Sequence, residues 1–302
     1  MKNIMSVSLG SSKRNSVAEL EILGEMVRIE RIGTDGDQAK AIRLIEELDG
    51  QVDAFGMGGI DLYVWAGKKR YILRDAVSIA RAAKKTPIVD GSGLKNTLER
   101  RVVRYLQDEK IIDFNGKKVL MVCGVDRFGM AEALAEAGCK MTFGDLIFVL
   151  GLPLPMHSLR SLHMAASILG PIISKLPFSM LYPTGEKQEK VQPKYARYYH
   201  ENEIIAGDFH FIRRYMPKEM AGKIIITNTV TKDDVEELKS RGVKTLITTT
   251  PELNGRSFGT NVMEAVLVSL SDKSAGDLTA DDYTELLEKI GFTPRIEELS
   301  SS

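Results

Sequence analysis

Gly124 and Gly129 stand at the first and third glycine positions of the pattern G-x-G-x-x-G, directly after the apolar run Val119-Leu120-Met121-Val122-Cys123. A strand, such a turn and a helix together offer a diphosphate backbone N–H groups and the positive end of the helix. Asp145 follows Gly124 by 21 residues, at the end of the next apolar stretch, where an acid accepts hydrogen bonds from an adenosine ribose. An acid there favours NAD over NADP, because a 2′-phosphate would meet a carboxylate. The middle glycine is replaced by Asp126, whose carboxylate stands where the backbone should approach the pyrophosphate and repels it. Arg127 offsets that charge if its guanidinium swings to the phosphates. The alternative is a domain that keeps the fold and binds no dinucleotide.

Four further stretches gather polar groups after apolar runs: Gly10-Ser11-Ser12-Lys13-Arg14, Gly33 to Asp37, Gly56 to Asp61, and Asp90-Gly91-Ser92-Gly93. At the carboxyl ends of parallel strands such loops form a ligand crevice. Glycine and aspartate also make turns without any ligand. The four histidines are spaced as neither an i, i+4 metal pair nor H-E-x-x-H, and no metal site is expected. No G-x-S-x-G elbow and no P-loop is present, so neither a hydrolase elbow nor ATP hydrolysis is supported.

The elements that must carry these residues read as an α/β protein. Strand-length apolar runs begin at Ile4, Val27, Val52 and Pro87, and helical periodicity falls at Ala41 to Leu48 and Ala76 to Ala83. The alternation predicts a mainly parallel sheet covered on both faces, with a hairpin over Ile60 to Leu73. An amphipathic helix over Asn96 to Lys110 buries Leu98, Val102, Val103 and Leu106 and turns Glu99, Arg100, Arg101 and Arg104 to solvent. Beyond Asn115-Gly116 the pattern restarts, with strands at Lys117 to Cys123, Lys140 to Phe143, Phe178 to Leu181, Ile204 to Ala206, Lys223 to Ile226 and Thr245 to Thr248. Helices follow Thr231 and Thr279, each with Asp three places on, and another runs from Asn261 to Leu270. Lys187 to Tyr199 reads as a loop. The expected division is a substrate-binding α/β domain at 1–95, a linking helix at 96–115, a Rossmann-like doubly wound domain at 116–272 and a helical tail at 273–302.

This order of segments resembles the shikimate/quinate 5-dehydrogenase family. Val89-Asp90-Gly91-Ser92-Gly93 is similar to the family's T-D-G-x-G motif before a crossing helix. Ile226-Thr227-Asn228-Thr229 resembles its strand ending N-A-T, and Ile247 to Pro251 its next strand. The resemblance implies that Asp90 is the acid of a Lys–Asp dyad taking the hydroxyl proton as hydride leaves for the nicotinamide. The family's V-T-x-P-x-K motif is absent; Lys95 and Lys13 are the lysines that stand nearest to replace its lysine. Ser11 and Ser12, with Lys13 and Arg14, would hold a substrate carboxylate, Asp61 would join the substrate loops, and Thr227, Asn228 and Thr229 would border the cofactor.

Balanced charge, 41 Lys+Arg against 41 Asp+Glu, gives no bulk field for nucleic acid or anionic lipid. Two cysteines and no long apolar run fit a cytoplasmic protein that neither spans nor coats a membrane. The expectation is an NAD-dependent oxidoreductase of a small polar hydroxy acid, a homo-oligomer not excluded. The alternative is a binding or regulatory protein with a degenerate Rossmann domain; a transferase or lyase of a phosphorylated substrate ranks third.

Overall fold

A computed structural model describes residues 1–66, 69–173, 192–253 and 256–300. The fold is α/β, with two mostly parallel sheets flanked by helices. The first sheet joins β1 (Lys2–Ser8), β2 (Ser16–Ile22), β3 (Glu25–Gly33), β4 (Ala54–Gly58) and β7 (Ile88–Val89) in the order β2-β3-β1-β4-β7. β5 (Tyr63–Ala66) and β6 (Lys69–Ile72) form the expected hairpin, its tip at residues 67–68 lying outside the described residues.

β2 was not expected as a strand. It pairs antiparallel with β3 through Leu23-Gly24, both at positive φ (54° and 77°), which is the twist a two-residue hairpin turn requires. Along β1 the side chains alternate. Met5 and Val7 meet Ala41 and Ile45 of the helix Gln38–Leu48, and Ile4 points to the other face. That other face is covered by the helix Thr260–Leu270, whose Val262, Ala265 and Val266 pack with Ile4, Val27, Ile29 and Ala54. The last helix of the expected second domain therefore belongs by packing to the first sheet. Gly56, read as a loop residue, lies inside β4; a Cβ there would stand 2.9 Å from the Asn261 carbonyl oxygen. The glycine serves the returning helix.

The second sheet joins β8 (Lys118–Met121), β9 (Lys140–Phe143), β10 (Ile204–Ala206), β11 (Ile224–Thr227), β12 (Thr245–Thr248) and β15 (Arg295–Glu298) in the order β15-β12-β11-β10-β8-β9. β15 alone among these runs antiparallel, and a short ribbon, β13 (Glu252–Leu253) with β14 (Arg256–Ser257), precedes the returning helix. Ile225, Ile226, Leu246 and Ile247 are wholly buried, as expected for strands covered on both faces. The chain leaves β8 for β9 on one side and returns to β10 on the other. The loops after β8 and β10 thus flank the topological switch point, where open α/β sheets form their crevice.

The helix Ser92–Asp108 crosses between the sheets, burying Leu94, Leu98, Val102, Val103 and Leu106. Glu99 corrects the expectation of a solvated side. It is 1% exposed, because Arg127 reaches it at 2.5 Å. The Thr231–Asp234 and Thr279–Asp282 capping boxes form as expected, opening the helices Lys232–Ser240 and Ala280–Lys289. The expected strand at 178–181 and residues 187–191 lie outside the described residues; the end of the stretch read as a loop, from Ala196 to Tyr199, falls in the helix Ala196–Glu201. Among the described residues no helix is long and apolar enough to cross a membrane.

Candidate functional site

The carboxyl ends of β1, β4 and β7 face the loops after β8, β10 and β11 across a cavity of ≈ 190 Å³. Lys95 enters it from the first turn of the crossing helix. Its Nζ donates to Asp126 Oδ1 at 2.9 Å and to Asp61 Oδ2 at 3.3 Å. The lysine expected beside Asp90 is therefore paired, but with other acids. Asp90 accepts instead from Leu62 N (2.5 Å), Ser92 N (3.1 Å) and Ser92 Oγ (2.7 Å), binding the start of the crossing helix to the segment after β4. That is the role of a turn-forming aspartate; Asp90 also lines the cavity, while Lys95 takes Asp61 and Asp126 as its ion-pair partners.

Burial pushes the Asp61 carboxyl up to about 8; Asp126 and Asp90 add to the rise while Lys95 opposes it. Burial also acts on Asp126, but Lys95 and Arg127 outweigh it and hold that carboxylate below its ordinary range. For Lys95 burial is outweighed by Asp126 and Asp61, so the ammonium is held more firmly protonated than usual. Two carboxyls facing one cation separate in this way: one stays ionised and the other keeps its proton. Asp126, read from sequence as an obstacle to a diphosphate, is the anchor of Lys95.

The turn after β8 departs from the expected cofactor cradle. Gly124 N donates to Asp145 Oδ2 at 3.0 Å and Val125 N to Asp145 Oδ1 at 2.8 Å. The acid expected on a ribose has thus folded back onto the N–H groups expected on the pyrophosphate. Asp145 is 7% exposed, and burial raises its carboxyl to about 6 despite those bonds. A Cβ on Gly129 would lie 2.6 Å from the Asn96 carbonyl oxygen, and one on Gly124 would meet Leu162 and Phe143 at 3.0 Å. Both glycines admit protein rather than phosphate. Arg127 does not reach out either: it is 4% exposed and bound to Glu99, to Asp208 at 3.2 Å and to Asp126 at 3.4 Å. In this arrangement Gly124, Gly129, Arg127 and Asp145 do not fit a bound diphosphate.

Asn228 and Thr229 border the cavity, and Thr227 is wholly buried beneath them, donating to Gly207 O at 2.8 Å. Asn228 donates to Asp208 Oδ2 at 2.8 Å and accepts from Phe209 N. In the first loop Ser11 caps the turn Ser12–Arg14, and Ser12 N donates to Asp35 at 2.7 Å. Of Ser11, Ser12, Lys13 and Arg14, Arg14 lines the cavity, donating to Asp234 at 3.0 Å and meeting His210 Nε2 at 3.3 Å. Burial, with Arg14, pushes His210 down to about 4, so it is neutral at pH 7. Sequence reasoning missed Asp208, His210, Arg31 and Arg214. The strand-end acid rule that selects Asp145 also selects Asp208 after Ala206-Gly207, whereas nothing local marks the two arginines. Among the described residues no cluster of three His, Cys, Asp or Glu is placed to hold a metal.

Residues 93–299 match the domain of unknown function DUF8754, and residues 3–90 match the domain of unknown function DUF8753. The chain belongs to the DUF8754 family. Among curated proteins none matches it. Solved structures of similar outline include a galactofuranose binding protein, 12% identical, covering 96% of this chain and 99% of that one, with a TM-score of 0.37. They also include an NAD-dependent malic enzyme from Thermotoga maritima, 12% identical, covering 96% and 84%, with a TM-score of 0.34. A third is a sugar transport substrate-binding protein from Bordetella parapertussis, 11% identical, covering 99% and 89%, with a TM-score of 0.37.

Proposed function

We propose that this DUF8754 protein binds a small, hydroxyl-rich polar molecule in the cleft between its sheets, and that Asp61 exchanges a proton with one of its hydroxyls. The observation that carries this reading is Lys95 Nζ held between Asp61 and Asp126 at the cavity wall. A carboxyl titrating at about 8 is poised to give or take a proton near neutral pH. Lys95 stays charged and stabilises negative charge developing on the ligand oxygen. The cavity, ≈ 190 Å³, is below the roughly 300–1,000 Å³ of drug-sized sites, which suits a compact ligand.

Calorimetric titration of small polyols and hydroxy acids in buffers of different ionisation enthalpy tests this. A ligand should bind with a buffer-dependent heat in the native protein and a buffer-independent heat in Asp61→Asn. A buffer dependence unchanged in that variant, or no binding across the panel, refutes the reading.

The Lys95–Asp61 pair also supports a second reading, the oxidation of a small polar hydroxy acid of the quinate or shikimate type with NAD as acceptor. It requires the cofactor to lie against Asn228 and Thr229, since Asp145 fills the turn after β8. Titration with NADH and NADPH, followed by cofactor fluorescence, decides it. Silence at millimolar cofactor removes this reading, and binding weakened by Asn228→Ala sustains it.

A further inference from the structure

Several cations of this region are matched to carboxylates. Lys95 has Asp61 and Asp126, Arg127 has Glu99 and Asp208, and Arg14 has Asp234. Arg213 is held by Glu237 at 2.8 Å and Asp234 at 3.5 Å, and Arg241 by Glu237 at 2.6 Å. Arg214, adjacent to Arg213, lines the cavity, and its Nε is buried without a hydrogen-bond partner. Among the described residues no carboxylate lies within ion-pair distance of it; its guanidinium lies 5.5 Å from the Tyr215 ring centroid. A buried donor left unmade is costly, and such groups in native structures call for a reason. Arg214 and His210 are four residues apart on the helix Phe209–Tyr215 and so share a face, and His210 meets Arg14. Arg31 lines the same cavity, donating to Ser8 Oγ at 3.0 Å and Ser11 O at 3.2 Å.

We infer that Arg214 is the anion receptor of the cleft and that the ligand carries one compact negative group, a carboxylate or a phosphate, docked there with Arg14 and Arg31 beside it. This rests on the cleft being a small-molecule site and adds the charge of the ligand to that reading. A planar guanidinium matches either oxyanion with two parallel hydrogen bonds. Asp208, which caps that helix and lines the same cavity, is itself occupied by Arg127 and Asn228.

Thermal unfolding of the whole chain tests the inference, with sodium phosphate in one arm and sodium acetate in the other, each against sodium chloride at equal ionic strength. One of the two anions should raise the melting temperature by about 2–4 °C at some tenfold its dissociation constant. Arg214→Gln should lose at least half of that rise. Excluded-ion effects raise the stability of native protein and variant alike, so the difference between them reports binding. The arm that responds identifies the ligand group. An equal rise in Arg214→Gln, or no rise in the native protein, overturns the proposal. Asp61→Asn should keep the full rise, so loss of proton exchange and loss of the anion site are read apart.

Discussion

Asp145 and Asp61 are both carboxyls just beyond parallel strands, and burial raises both, to about 6 and about 8. They differ in what their oxygens meet. Both oxygens of Asp145 accept from backbone N–H groups of one turn, whereas Asp61 meets the Lys95 ammonium and faces the Asp126 carboxylate. A backbone donor cannot move its proton, so Asp145 fixes a shape; side-chain partners that titrate leave Asp61 with a proton to exchange. The contrast separates an acid that closes the turn after β8 from an acid that serves the cleft.

The largest way to disturb the contrast is to remove the cation between the two regions. Arg127→Met leaves Glu99, 1% exposed, without its ion pair, and should cost about 3–5 kcal/mol in urea unfolding. A loss under 1 kcal/mol would mean that Glu99 is held neutral and that the buried network does not join the two sites.

The acids themselves separate by pH. A carboxyl raised on folding contributes stability that is complete below the unfolded value of about 3.9 and is lost as pH rises through the folded value. The part due to Asp145 is therefore gone above about pH 6, and the part due to Asp61 continues to fall until about pH 8. From pH 6 to 8, Asp145→Asn should keep the native slope of urea midpoint against pH, and Asp61→Asn should flatten it. Parallel lines for Asp61→Asn and the native protein would break the distinction. Asp145→Ala is expected to cost about 1–3 kcal/mol for each N–H left unmatched, at Gly124 and Val125. It also frees the turn, so a gain in ADP binding by that variant would show that the carboxylate occupies an anion's place.

Local signals were legible. β12 falls on Thr245–Thr248 as the sequence reading has it, and both capping boxes form, because each depends on residues three or four apart. The crossing helix and its apolar face follow from periodicity for the same reason. The site was half legible. Asp61, Lys95 and Asp126 each stand in a stretch marked by composition, yet their pairing spans separations of 34 and 31 residues and is set by how the sheets meet. Glu99 illustrates the limit. A charged residue among arginines on a helix reads as solvated, and only Arg127, 28 residues on, makes it a buried partner. Edge strands β2 and β15 were missed because Glu19 and Glu21 in the one, and Arg295, Glu297 and Glu298 in the other, break up the apolar run that marks a buried strand.

Glycine shows the same divide at smaller cost. Gly24 sits at φ +77° with nothing within 4 Å of a built Cβ, so Gly24→Ala isolates backbone strain, about 1 kcal/mol. Gly56 lies outside the left-handed region and is hemmed in by Asn261, so Gly56→Ala isolates close approach, about 1–3 kcal/mol. Asn261 also donates to Ser6 Oγ at 3.1 Å and borders the cavity. Gly56→Ala should therefore weaken binding of any cleft ligand as well as lower the melting temperature, while Gly24→Ala lowers stability alone. Equal effects on binding would mean that the returning helix does not help to shape the cleft.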